Sequence, residues 1–273
     1  MPEHAQRISE HRRTQASRRL RIDAERICQI EGLLSEDFSP EQIAGRTGLA
    51  SHEWIYWQIY ADQKRGGQLF THLRRRRRNR RRWGVRDGLG QLTHRHSWTR
   101  RPSVVEQRSP IGDWELDTLR ASYRKAVVAS MTERRSRLHL LAYSPDGTAE
   151  NVRNAIVQRL YGLGHTVHTL TADNGKEFDD HQLIAACLQS DFYFADPYCA
   201  WQRGSKKMPT GRLASTCHDR PISARITDAH LRWIEQRLYN RPRKILGFKT
   251  PLEVFSEEVL NSVANQSRIR RAN

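Results

Sequence analysis

Asp113-Trp-Glu-Leu-Asp-Thr118 decides the fold, together with a later stretch, Thr171-Ala-Asp-Asn-Gly-Lys-Glu-Phe178. Each stretch places an acidic residue, Asp117 or Asp173, beside an apolar run that is typical of a strand. Carboxylates at strand edges suit hard cations, because Mg²⁺ prefers oxygen ligands and is usually held by one or two carboxylates plus substrate phosphate. The two stretches therefore predict one shared site for divalent cations.

Apolar runs on both sides of these stretches predict a sheet with helices packed on it. Strands are predicted at 114–119, 125–131, 138–143, 167–171 and 192–195, the first three as an antiparallel meander. Helices are predicted at 148–160, 180–188 and 228–238, where apolar residues recur on one face. Asn174-Gly175 is a turn signal directly after the second aspartate.

Four motifs together resemble the bacterial insertion-sequence transposases of the IS-thirty family. They are 112–118, 171–178, Phe194-Ala-Asp-Pro-Tyr198 with Trp201-Gln-Arg-Gly204, and Asn240-Arg-Pro-Arg-Lys-Ile-Leu-Gly-Phe-Lys-Thr-Pro251. The resemblance runs from about Pro2 to Phe255. It implies an α/β fold, with a ribonuclease-H-like mixed sheet as in the retroviral-integrase catalytic core, preceded by a small all-α helix-turn-helix domain.

The resemblance also implies a DDE transposase that binds element-end DNA and catalyses metal-dependent phosphodiester cleavage and strand transfer. Carried over by motif, the two aspartates of the Asp, Asp, Glu triad are Asp117 and Asp173. The expected cofactor is two Mg²⁺ or Mn²⁺ ions, one activating the nucleophile and the other stabilising the leaving oxygen. The expected partners are double-stranded DNA, as terminal repeats and as target, and further copies of the chain on that DNA.

The third acidic position departs from the family pattern. That pattern has an Asn-Glu-Asn sequence after Trp-Gln-Arg-Gly, and 33 residues between the second Asp and the Glu lead to Lys207. Lysine has three donors and no acceptor, and its positive charge repels cations. We expect impaired catalysis in this copy; the alternative is a catalytically dead DNA-binding relic that competes for element ends.

Back-translation offers a cause for this departure. Lys206-Lys-Met-Pro-Thr-Gly211 can be coded AAG AAA ATG CCA ACG GGG, and one pyrimidine restored after the first two bases gives codons for Asn-Glu-Asn-Ala-Asn-Gly. We expect a one-base deletion near codon 206 and a compensating insertion near codon 225, because 226–234 again resembles the family. Gene codons incompatible with that frame would contradict this hypothesis. A divergent member could instead have moved its acid, for example to Glu235.

The charge balance predicts a polyanionic partner. Lys and Arg number 47 against 30 acidic residues, for a formal net charge of +17. Nucleic acid is the default, because neutralised phosphates supply most of the non-specific affinity for DNA. No apolar run approaches the ~20 residues of a membrane helix, and no signal-peptide stretch opens the chain. We expect a bacterial cytoplasmic, nucleoid-associated protein without a membrane partner.

Capping signals predict a helical domain before the core. Ser39-Pro40 and Ser51 each begin a helix, and Gly48 supplies the turn between the two. Such a pair predicts a helix-turn-helix whose later helix lies in the major groove; the alternative is a plain three-helix packing unit. On the later helix, the expected core residues are Trp54, Ile55 and Ile59, and the expected groove-facing residues are His52, Glu53, Tyr56 and Gln58.

Two arginine-rich clusters complete the predicted DNA interface. Eight of the nine residues at 74–82 are arginines, which predicts a basic arm along phosphates because unpaired charges are costly to bury. The cluster at 240–244 either contacts DNA or caps a helix C-terminus electrostatically. The predicted DNA-binding residues are His52, Gln58, Arg74, Arg75, Arg76, Arg77, Arg78, Arg80, Arg81, Arg82, Arg241, Arg243 and Lys244.

Five segments are expected along the chain. They are a basic N-terminal segment (1–22), a helix-turn-helix DNA-binding domain (23–66), an Arg-rich linker (67–110), an integrase-like catalytic core (111–258) and a polar C-terminal tail (259–273). The resemblance implies a further helix-turn-helix upstream, so we also expect an N-terminally truncated copy or a late start.

Overall fold

A computed structural model describes Gln6 and residues 22–73, 96–108, 110–120, 125–196 and 227–272. The chain divides into two compact units, Met1–Asn79 and Arg80–Asn273, named here the helical unit and the sheet unit. The finer division into five segments stays a prediction. No described helix has both the length and the apolar character needed to cross a membrane.

Within residues 22–73, the helical unit contains three α-helices, α1 (Ala24–Ser35), α2 (Pro40–Thr47) and α3 (His52–Lys64). The predicted caps are confirmed: the Ser39 hydroxyl accepts from the Gln42 amide at 3.3 Å, and the Ser51 hydroxyl from the Trp54 amide at 3.3 Å. Gly48 ends α2 with a φ of 65°, in the left-handed region that favours glycine. These local signals fix the two short helices and the turn that joins them.

An aliphatic cluster holds the three helices together. Its fully buried members are Ile30, Leu34, Ile43, Ile55 and Ile59. The predicted core positions on α3 are thereby confirmed, and Trp54 packs against the cluster while partly buried. Leu69, Phe70 and Leu73 also pack there, so the unit continues past the predicted end at residue 66.

The sheet unit is built on five strands in the order β3-β2-β1-β4-β5. They are β1 (Asp113–Arg120), β2 (Val127–Glu133), β3 (His139–Ser144), β4 (Thr169–Ala172) and β5 (Asp191–Phe194). Strands β1, β2 and β3 pair antiparallel, which confirms the meander, whereas β4 pairs parallel with both β1 and β5. With its covering helices, this mixed sheet confirms the predicted α/β, ribonuclease-H-like fold.

In the described part of the sheet unit, five α-helices accompany the sheet. They are α4 (Val104–Gln107), α5 (Ala149–Leu160), α6 (His181–Leu188), α7 (Asp228–Tyr239) and α8 (Pro251–Ala272). The helices predicted at 148–160, 180–188 and 228–238 correspond to α5, α6 and α7. Helix α8 continues across the predicted boundary at residue 258.

The two faces of the sheet differ in character, because successive strand residues point to opposite sides. Trp114 and Leu116 enter the main core, where α5, α6 and Phe255 of α8 cover them. Glu115 and Asp117 point to the other side, which we call the aspartate face. Helix α7 packs on part of that face, over Val128 of β2 and Leu141 of β3.

Candidate active site and nucleic-acid interface

The strand register brings the two predicted catalytic aspartates together. Glu115 of β1 pairs with Thr171 of β4 in the parallel ladder. One further pair along the same face leads to Asp117 and Asp173, and Asp173 directly follows the last residue of β4. Neighbouring strands lie about 4.8 Å apart, so the two carboxylates begin side by side. Both residues are half-buried, and Oδ1 of Asp117 accepts from the Thr118 amide at 3.0 Å.

A close approach explains the glycine that opens the first motif. Gly112 has a φ of 111°, and a Cβ there would lie 2.6 Å from Nδ1 of His168. Its carbonyl oxygen accepts from the amides of His168 and Thr169 at 2.7 and 3.2 Å. The same glycine therefore starts β1 and aligns it with β4. On its other side, its amide donates to the buried Glu133 carboxylate at 3.3 Å.

Burial raises the pKa of Glu133, although hydrogen-bond donors around it favour its ionised form. Among these donors are the Gly112 amide and the amide and hydroxyl of Ser136. The carboxylate thus connects the start of β1 to the turn after β2.

The turn after Asp173 is fixed by contacts to both sides. The Asn174 side chain donates to the Ala195 carbonyl at 2.6 Å and is buried. The Thr118 hydroxyl donates to Oε1 of Glu177 at 2.5 Å, which joins the two acidic motifs directly. Glu177 folds back over Gly175, where a Cβ would lie 2.5 Å from its carboxyl carbon. Glu177 thus contacts both β1 and the turn after Asp173.

Glu115 is occupied by an ion pair rather than presented to a ligand. Its Oε1 accepts from Nη1 of Arg134 at 2.7 Å, and both side chains are buried. This pairing joins β1 to the residue that directly follows β2.

The contacts of Glu235 disfavour the alternative that this residue replaces the missing third acid. Its Oε1 accepts from the Leu141 amide on β3 at 2.6 Å. Its Oε2 accepts from Arg159 at 2.5 Å and from the Tyr239 hydroxyl at 2.7 Å. Burial, followed by the hydrogen bond to Glu235, raises the pKa of Tyr239 far above its ordinary value. The Glu235 carboxylate therefore binds to the edge strand β3, which is two strands away from the strand of Asp117.

The aspartate pair fits part of a divalent-cation site. It offers hard oxygen ligands from neighbouring strands, the donor type that Mg²⁺ and Mn²⁺ take. Among the residues whose placement is described, no group of three or more His, Cys, Asp or Glu side chains could hold a metal ion. Lys207, at the expected third position, lies outside the described residues, as does the segment of the frameshift hypothesis.

Helix α3 presents more aromatic surface than the sequence predicted. His52 and Glu53 are exposed, and Gln58 is half-buried. Trp57 and Tyr60, which sequence reasoning missed, are 62% and 50% exposed. Their spacing of three, off the stripe formed by the buried isoleucines, was the available signal.

Tyr56, also expected to face the groove, instead joins α3 to α2. Its hydroxyl donates to Oε1 of Glu41 at 3.0 Å. Partial burial and this acceptor raise the pKa of Tyr56 to about 12.

Burial divides the basic cluster that follows α7. Arg241 and Arg243 are only 4% and 9% exposed, whereas Lys244 is exposed. A phosphate contact needs a solvent-facing guanidinium, so the predicted DNA contacts at Arg241 and Arg243 are disfavoured. Their position directly after the helix favours the other interpretation, electrostatic capping of its C-terminus. The arginines at 74–82 lie outside the described residues, and their DNA contact stays a prediction.

Sequence comparisons with known proteins agree with the motifs. No protein-family model matches the chain. It is 36% identical over 267 residues to the transposase for insertion sequence element IS4351 of Bacteroides fragilis, covering 95% of this chain and 82% of that protein. It is 32% identical over 247 residues to the transposase for IS1086 of Cupriavidus metallidurans, covering 85% and 72%.

Two further similarities are lower. The transposase InsI for IS30A of Escherichia coli is 26% identical over 247 residues, covering 83% of this chain and 63% of that protein. The crystallised catalytic core domain of BIV integrase is 23% identical with a TM-score of 0.43, covering 55% of this chain and 97% of that one. From the two transposases above 30% identity, and with the shared motifs, the chain belongs to the insertion-sequence transposases of the IS-thirty family, which are DDE-type enzymes.

Proposed function

We propose that this transposase binds the ends of its own insertion sequence, cleaves phosphodiester bonds there and transfers the freed strand into target DNA. The observation that carries the proposal is the register that leads to Asp117 and Asp173 on one face of neighbouring strands. The family membership supports the reaction class, and the net charge of +17 supports a DNA substrate.

In this proposal the two aspartates hold divalent cations, Mg²⁺ or Mn²⁺, two ions in the complete site. When bound, such ions neutralise developing charge on the phosphate and lower the pKa of an attacking water or hydroxyl. Asp117 and Asp173 contribute the carboxylate oxygens. The Thr118–Glu177 hydrogen bond joins the two aspartate motifs, and the Asn174–Ala195 hydrogen bond fixes the turn after Asp173 to the end of β5.

Lys207 makes impaired catalysis part of the proposal. With lysine at the third position, only two carboxylates remain for the cations. The second candidate function, a DNA-binding relic that competes for element ends, is favoured by this same residue. Both candidates share DNA binding, so only cleavage separates them.

A nicking assay on DNA that carries the element's ends tests the proposal. We expect slow nicking with Mn²⁺, faster nicking in Lys207→Glu, and at least about a 100-fold loss in Asp173→Asn, since even outer partners of a metal ligand are worth about 10–100-fold. Asp179→Asn is the matched control, because Asp179 is an exposed carboxylate in the same segment. Binding without nicking in both the unaltered chain and Lys207→Glu would establish the relic instead.

For DNA binding we propose that α3 reads bases with His52 and Gln58, and that exposed Trp57 adds an apolar contact. Gln58→Ala should weaken binding to terminal-repeat DNA by about 1–3 kcal/mol, the usual value of a bidentate base contact. Gln29→Ala is the matched control, since Gln29 is an exposed glutamine on α1. Equal affinities of both variants, measured by fluorescence anisotropy at fixed salt, would assign α3 a packing role only.

Two further parts of the proposal follow from acting on DNA. Coordinated cleavage at two element ends requires more than one copy of the chain, so we propose a homo-oligomer on DNA. For the same reason we propose that the protein acts in the bacterial cytoplasm, on the nucleoid. Analytical sedimentation of the protein, with and without DNA that carries paired element ends, tests the homo-oligomer. A monomer under both conditions would contradict it.

A further inference from the structure

Two arginines lie buried on the aspartate face. The side chains of Arg101 and Arg134 are each 1% exposed. Arg101 comes from the segment before α4, and Arg134 directly follows β2. Burial, and then the charge of Arg134, lowers the pKa of Arg101. Charges so far from water persist only when they are paired and hydrogen-bonded.

Their contacts form a closed ring, which we call the arginine ring. Arg101 donates to Oγ1 of Thr171 at 3.0 Å and forms an ion pair with Oε1 of Glu106. Oε2 of Glu106 lies 3.4 Å from Nη2 of Arg134. Arg134 then donates to Glu115 at 2.7 Å. Glu115 and Thr171 are register partners, so the ring closes through the ladder between β1 and β4.

The ring lies one row away from the aspartates. Glu115 precedes Asp117 by two residues, and Thr171 precedes Asp173 by two residues. Residues two apart on a strand share a face. A slip of one residue between β1 and β4 would turn one aspartate away from the other. The ring therefore acts on the strand pair whose register brings the aspartates together.

Stability alone does not account for these charges. Apolar side chains of similar volume often stabilise a protein as well as a buried ion pair does, because they need no desolvation. What an arginine adds is direction: its planar guanidinium donates at fixed angles to two acceptors at once. Arg101 and Arg134 each use that fork to join two different segments.

We propose that the arginine ring positions Asp117 and Asp173 relative to each other, so that the two carboxylates can share a cation. Arg101, Glu106, Arg134 and Glu115 are positioning residues in this inference. The shared cation in this inference rests on the proposed function. The relative position of Asp117 and Asp173 does not, because it can be measured without a metal ion.

Paired substitutions separate positioning from stability. Arg134→Met alone leaves the Glu115 carboxylate buried without its partner and can unfold the sheet unit. Glu115→Leu combined with Arg134→Met removes both charges and keeps the volume, so its urea-unfolding midpoint should match that of the unaltered chain. Arg135→Met is the matched control: the neighbouring Arg135 pairs with Glu258 at 2.6 Å, and both side chains are partly exposed.

The first readout is Mn²⁺ binding by the full-length chain, followed by electron paramagnetic resonance. Asp173→Asn defines which binding belongs to the aspartates. We expect the double variant to bind at least about 10-fold more weakly, as is usual when partners behind a metal ligand are removed. Arg135→Met should bind as the unaltered chain does. Unchanged Mn²⁺ affinity in a folded double variant would overturn the inference.

The second readout needs no metal. Asp117→Cys and Asp173→Cys are combined in a chain whose Cys28, Cys187, Cys199 and Cys217 are changed to serine. Adjacent register positions lie within the 4.4–6.8 Å that a disulfide spans between Cα atoms. With oxidised glutathione added as the two-electron oxidant, we expect rapid disulfide formation with the ring intact and at least about 10-fold slower formation after Glu115→Leu with Arg134→Met.

The outcomes distinguish the ring from the cation site. Equal disulfide rates with and without the ring would overturn the positioning role. A lack of disulfide in both chains would do the same, because the aspartates would then not be neighbours. Mn²⁺ binding that Asp173→Asn leaves unchanged would contradict the proposed cation site instead, and the disulfide rates would still decide the role of the ring.

Discussion

The cores of the helical unit and the sheet unit are built from different kinds of side chains. In residues 22–73, the buried side chains are Pro40 and five aliphatic residues. The sheet unit has a larger apolar core and also buries acids and arginines, among them Glu115, Arg134 and Glu235. In the proposed function, the helical unit only presents a helix surface, for which apolar burial, which has no direction, is sufficient. The role proposed for the sheet unit, fixing two carboxylates relative to each other, calls for directional contacts as well.

The largest expected effect is on the helical unit, whose core is small. Ile55→Ala should lower its free energy of unfolding by about 3 kcal/mol, because it leaves a cavity among five aliphatic side chains. Hydrogen exchange followed by mass spectrometry should then show lost amide protection across 24–64. The control is Trp57→Ala, since Trp57 is mostly exposed on the same helix. Equal protection in both variants would mean that contacts beyond this cluster hold the unit.

Loss of the buried Glu235 contacts in the sheet unit should lower the free energy of unfolding by nearly as much. Glu235→Leu leaves the buried Leu141 amide without its acceptor and separates Arg159 from its partner. We expect a loss of about 3 kcal/mol, measured by urea unfolding. Glu258→Gln, at the partly exposed pair with Arg135, should cost less than about 1 kcal/mol. Similar losses at the two sites would remove the contrast between buried and exposed pairs.

The smallest effect concerns a polar contact between helices of the helical unit. Tyr56→Phe removes the hydrogen bond to Glu41 and should cost about 0.5 kcal/mol near neutral pH, since the bond is exposed. The pKa of Tyr56 is raised from 10.0 to about 12. The contribution is therefore complete below pH 10 and is lost as the pH rises through 12. Unfolding curves at several pH values should converge for both chains at the alkaline end; a difference that persists there would point to packing of the ring instead.

The elements whose signals are local could be predicted from the sequence. Ser39, Ser51 and Gly48 marked the helix ends because capping involves residues only a few positions apart. The alternation around Asp117 likewise predicted β1 and its face. The motifs identified the two aspartates, and the strand register then showed that β1 and β4, which lead to them, are neighbouring strands.

Contacts between distant residues carried no comparable signal. Arg101 meets Thr171 across 70 positions, and nothing in the pattern of either segment indicates the other. Arg241 and Arg243 have the composition of a surface cluster, yet they are buried. Whether an arginine is buried or exposed depends on residues that are distant in the sequence and become its neighbours only in the folded chain. The role of Lys207 and the frameshift stay predictions, which the gene sequence and the nicking assay test.

The two outer strands of the sheet have a consequence for solubility. An unpaired strand edge is a template on which another chain can add a strand. On β5, the Phe194 amide donates to the His96 carbonyl at 2.9 Å, and Ser97 forms a bridge there. On β3, the Glu235 carboxylate occupies the outward Leu141 amide. Both edges are thus partly covered by the chain itself, which limits strand addition between copies of the protein.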